Sequence, residues 1–106
     1  MPDVRWPEGW TPVDDAAEAE RLQAELAREV PRRHLLDGER VTPFARAEGA
    51  DDVLFAWPDG RVAQVHLTWA VETDPAFPAT QIYADLEDWL RRGAGTSPAM
   101  TRGGER

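Results

Sequence analysis

His66 and Asp52 are the residues whose types and spacing invite chemistry, because the segment between them folds back on itself. In "DDVLFAWPDGRVAQVHLTW", residues 51–69, the run "WPDGR" has Pro58 and Asp59 suited to a type I turn. Gly60 suits the left-handed position that completes the common bulged hairpin. That turn pairs Trp57 with Arg61, and counting back sets Ala56 against Val62, Leu54 against Gln64, and Asp52 against His66. A slip by one residue would put Phe55 opposite Gln64 and mix apolar with polar faces, so the first register is preferred. One face then carries Val53, Phe55, Trp57, Ala63, Val65, Leu67 and Trp69, a floor for helices. The other carries Leu54, Ala56, Val62, Gln64, His66 and Thr68.

A carboxylate opposite an imidazole attracts the charged ring, and it can also orient a neutral ring for proton transfer. The candidate binding face is therefore His66, Asp52, Thr68 and Gln64, with Arg46 from the preceding strand. No catalytic residue is assigned, because the chain offers no activated nucleophile: it has no cysteine, and Thr68 sits on no strained elbow. His66 and Thr68 resemble one half of the paired His-x-Thr strands of 2H phosphoesterases. His34, in "RRHLLDG", has no threonine partner to supply the second half. Two histidines on separate elements make no metal site, and Asp14-Asp15 and Asp51-Asp52 lack the spacing of a calcium loop. No phosphate-cradling glycine loop precedes a helix, so neither a cofactor nor a metal is expected.

The elements that must hold these residues form an arm, a body and a tail. Residues 1–10 read as an extended arm carrying Trp6 and Trp10, at least one of which should pack on the body. "TPVDDAAEAERLQAELAREV" reads as a helix with Thr11 as N-cap and Pro12 at its first position. Val13, Ala16, Ala19, Leu22, Leu26 and Val30 form its inward stripe, and Asp15, Glu18, Glu25 and Glu29 its outward face, until Pro31 stops it. A first strand spans about Arg40 to Ala47, where Pro43 calls for an edge position or a bulge. His34 reads as a solvated loop residue, and Trp57, Trp69 and Trp89 as core. "TQIYADLEDWLRRG" reads as a second helix with Ile82, Leu86 and Trp89 or Leu90 inward and Gly93 as its stop. The domain thus runs 11–92, and 93–106 reads as a disordered tail.

The chain has 106 residues, a single core's worth, and a net charge of −8 that repels phosphate backbones and anionic membranes. All the basic residues are arginine, a bias that resembles GC-rich coding. No apolar run approaches the roughly 20 residues of a membrane span, and "MPDVRWPEGW" lacks the features of a signal peptide, so a cytoplasmic location is expected.

From Trp10 to Leu90 the chain resembles a family of short uncharacterised bacterial proteins that share a "DVLF" strand, a "DG" turn, a "VHLTW" strand and a "Y..LEDW" helix. Here those are Asp52 to Phe55, Asp59-Gly60, Val65 to Trp69, and Tyr83 with Leu86 to Trp89. The resemblance implies no activity. The expected architecture is α+β, a three-stranded antiparallel meander with an N-terminal and a C-terminal helix packed on one face. The other face, mixed in polarity, should then be covered by a partner protein, a second copy of the chain, or the arm. The expected function is a non-enzymatic interaction or accessory module. The alternative is a small-molecule or hydrolytic site centred on His66 and Asp52.

Overall fold

The computed structural model describes residues 6–70, 73, 74 and 76–93. Of the tail only Gly93 falls among them; 94–106 and the start of the arm lie outside the described residues. The fold is α+β, in the order β1 (Trp10–Pro12), α1 (Ala16–Glu29), β2 (Thr42–Ala47), β3 (Asp52–Ala56), β4 (Val62–His66), β5 (Ala79–Tyr83) and α2 (Leu86–Arg92). The strands form one antiparallel sheet in sequence order β1-β2-β3-β4-β5. Among the described residues the sheet therefore has five strands where three were expected, and both extra strands come mostly from segments read as helix.

At the first, Thr11 and Pro12 do not open the helix. Thr11 pairs with Arg46, Glu48 donates its amide to Gly9 O at 2.7 Å, and Val13 donates to Phe44 O at 3.0 Å. Pro12 is tolerated because β1 is an edge strand. The helix instead begins after Asp15, whose carboxylate accepts the Ala17 amide. It ends at Val30, which is extended because the following Pro31 disfavours helical backbone there. At the second, Ala79 to Tyr83 alternates between sheet faces and pairs with β4, Gln81 opposite Gln64 and Ala79 opposite His66. Only from Leu86 does the chain turn helical, with Asp85 accepting the Asp88 amide at 2.8 Å.

The central hairpin has the expected register at every pair from Asp52–His66 to Ala56–Val62. Its turn closes through Trp57 N–H to Arg61 O and Gly60 N–H to Trp57 O, both 3.0 Å, with Gly60 at φ +101°. Pro43 lies at a β-bulge: it faces Phe55 and Ala45 faces Leu54, so Phe44 is the extra residue. This bulge lets a proline sit in a strand paired on both sides.

The two helices lie on opposite faces of the sheet, which corrects the expectation of a shared face. On one face Leu22 and Leu26 of α1 pack with Val53, Phe55, Trp57, Ala63, Val65 and Leu67. On the other, Trp89 of α2 packs with Ala45, Leu54, Val62 and Tyr83. Trp6, Trp10 and Phe44 pack against that second cluster, with Trp10 edge-on to Trp89 at 4.9 Å between centroids. The mixed face is thus covered by the chain's own arm and second helix, because an antiparallel sheet with apolar residues on both faces needs a layer on each.

Candidate functional site

The hairpin register places Asp52 at the start of β3 beside His66 at the end of β4. Asp52 is 2% exposed. One of its oxygens, Oδ1, accepts from His66 Nδ1 at 2.8 Å, and the other, Oδ2, accepts from Gln64 Nε2 at 2.7 Å. Gln64 Oε1 in turn accepts the Trp89 indole N–H at 2.7 Å. Only one orientation of the Gln64 amide serves both neighbours, so the chain fixes donor and acceptor at each link. A polar relay therefore runs from a buried indole under α2 to an imidazole whose side chain is one-third exposed. Because a carboxylate can only accept, His66 Nδ1 carries the hydrogen of this bond, and Nε2 is the ring nitrogen left to meet a ligand. Nε2 has no protein partner among the described residues. Such an imidazole can take a proton from water or a ligand while the carboxylate stabilises the cation formed.

Thr68 and Arg46 serve other contacts. Arg46 is ion-paired with Glu18 of α1 across the face opposite Asp52, since its strand partner is Val53. The strand β4 ends at His66, and the Thr68 amide and hydroxyl donate to Glu29 Oε1 at 2.8 and 3.1 Å. His66, Asp52 and Gln64 are therefore brought together, and Thr68 and Arg46 face α1.

Glu29 is the residue that sequence reasoning placed wrongly on the outward face. It is fully buried, and Glu25 beside it is nearly so. Leu22, Glu25, Leu26 and Glu29 follow the i, i+3, i+4, i+7 spacing of one helix face, a signal that was legible but overruled by charge. Burial, reinforced by the neighbouring Glu25 carboxylate, raises the Glu29 carboxyl to about 7, against the pull of the Thr68 and Trp69 amides. Glu25 is held below its ordinary value, chiefly by the hydrogen bond Glu29 gives it, with Arg28 adding. Of the two, Glu29 is the carboxyl that keeps its proton to the higher pH.

The second Glu29 oxygen accepts the Trp69 amide at 2.6 Å, and Trp69 adopts φ +59°, a left-handed conformation costly for a large side chain. Its indole N–H donates to Asp51 at 3.1 Å, and the residue is 46% exposed, so it is not a core tryptophan. Leu35, 62% exposed, lies in the turn that follows α1. His34 beside it is buried rather than solvated. Its Nδ1 accepts the Leu36 amide at 2.9 Å, so its Nε2 carries the proton given to Pro78 O at 2.8 Å.

Among the described residues no group of three His, Cys, Asp or Glu side chains is placed to hold a metal ion. Nor is any helix among them long and apolar enough to cross a membrane. No protein-family model matches the chain, and neither a curated protein nor a solved structure shows significant similarity to it.

Proposed function

We propose that this chain is a small interaction module, of the short bacterial kind its motifs resemble, that works in the cytoplasm by binding another protein through the end of the body where α1 terminates. The observation that carries the reading is the presentation of Trp69. An indole nearly half exposed is held in a left-handed backbone conformation by a buried carboxylate and pinned by Asp51. Backbone strain kept to display an aromatic side chain supports a binding role, since rigid tryptophans are the commonest anchors of protein interfaces. Leu35 supplies a second apolar contact beyond the same helix end.

The test is capture from the native host lysate with wild type, Trp69→Ala and His66→Ala side by side. A stoichiometric protein retained by wild type and His66→Ala but lost by Trp69→Ala is expected. A partner that tolerates Trp69→Ala overturns the assignment of this surface.

The second reading, a small-molecule or hydrolytic site, is favoured by one observation: the buried Asp52 carboxylate orients His66 so that Nε2 faces outward unpartnered among the described residues. That site would bind or deprotonate a ligand. Saturable perturbation of the His66 ring resonances by a metabolite, abolished in Asp52→Asn, is the result it requires.

A further inference from the structure

A groove of about 580 Å³ opens between the C-terminal half of α1, the segment 36–42 and the hairpin turn at Pro58, on the face of the sheet opposite His66. Its floor is apolar, made by Leu26, Leu36 and Val41, which are buried, and by the partly buried Val30. Its rim is charged and unequal in sign. Asp37 and Glu39 stand on it, both exposed. Glu39 Oε1 accepts the Trp57 indole N–H at 2.7 Å and Asp37 Oδ2 accepts the Arg33 amide at 3.3 Å; the second oxygen of each has no donor among the described residues. The C-terminal end of α1, where Ala27 of the last turn and the extended cap residue Val30 line the groove, adds the partial negative charge of a helix C-terminus. Arg40 is the single cation among the lining residues.

An apolar floor under an acidic rim complements a molecule with an apolar body and a cationic, hydrogen-donating head. We infer that this groove is a binding site for a small amphipathic amine, its apolar body on Leu26, Val30, Leu36 and Val41 and its ammonium group toward Asp37 and Glu39. Arg40 opposes the ammonium charge and therefore limits affinity.

The probe is tryptamine, followed by methyl NMR of the full chain, with indole-3-propionate as the anionic counterpart of similar shape. Saturable shifts confined to the methyl groups of Leu26, Val30, Leu36 and Val41 are expected for tryptamine, with much weaker shifts for the anion. Asp37→Asn and Glu39→Gln should each weaken tryptamine about threefold, and Arg40→Gln should tighten it by about the same factor, the size expected of partly screened charges. Glutamine at position 39 can still accept from Trp57, and Asp37 is exposed, so both variants should fold. No saturable shift, equal binding of the two probes, or weakening by Arg40→Gln would overturn the inference.

Discussion

Replacing Glu29 by glutamine should flatten the dependence of stability on pH between about 5 and 8. The Glu29 carboxyl is raised from 4.5 to about 7, first because it is fully buried and next because Glu25 lies beside it. A folded-state value above the unfolded one means that the native protein holds this proton more tightly. The stabilisation is fully present below about 4.5 and is lost as pH rises through about 7. At about 1.4 kcal/mol per tenfold change in proton affinity, the displacement has a ceiling of roughly 3 kcal/mol. Glu25 shifts in the opposite direction, so its contribution falls away below the window instead of inside it. Glutamine keeps an oxygen for Thr68 and offers Glu25 a donor in place of the protonated Glu29 carboxyl, but it sets an amide N–H toward that of Trp69. The variant should therefore be less stable than wild type at pH 5 and should close that gap at pH 8. The assay is urea unfolding followed by tryptophan fluorescence at both pH values. Both histidines are common to the two proteins, so the difference between their pH dependences isolates the carboxyl. Wild type should lose roughly 2 kcal/mol more than the variant on going from pH 5 to pH 8. Parallel pH dependences, or a steeper loss in the variant, would refute the raised Glu29 carboxyl as the source of the pH dependence.

Four further outcomes follow from the geometry. Trp69→Gly should be more stable than Trp69→Ala by about 1 kcal/mol in the same unfolding assay, because glycine relieves the left-handed backbone at φ +59° that alanine retains. His66→Ala should cost about 1–3 kcal/mol, more than an exposed ion pair would, because Asp52 is buried and loses a donor. Asp52→Asn with His66→Ala should then be non-additive in a double-mutant cycle. Gly93→Ala should destabilise more than Gly60→Ala: a Cβ at 93 would lie 2.5 Å from Trp89 and Tyr83 side-chain atoms, whereas a Cβ at 60 meets open space and bears only the cost of φ +101°. Equal midpoints for the two alanine variants would show that the contact at Gly93 relaxes freely.

The sequence by itself determined what depends on neighbours along the chain. The Pro58-Asp59-Gly60 turn and the alternation on either side of it set the hairpin register, and with it the contact of Asp52 with His66. Pro43 narrowed its strand to an edge position or a bulge, Leu22 and Leu26 announced their burial, and the arm the packing of at least one of its tryptophans, because each follows from a local backbone constraint or from apolar area. Tertiary structure alone decided the rest. The segments at Thr11 and Ile82 carry enough helical spacing to read as helix, but their backbone groups are satisfied by strands far away in sequence, at Arg46 and Ala63. Once those edges are added, the sheet is wide enough to need a layer on each side, which sends α2 to the face opposite α1. Glu29 is buried only because two backbone amides about forty residues later, at Thr68 and Trp69, turn inward to receive its carboxylate. A charged side chain enters a core when remote donors meet it there, and composition carries no record of where those donors will be.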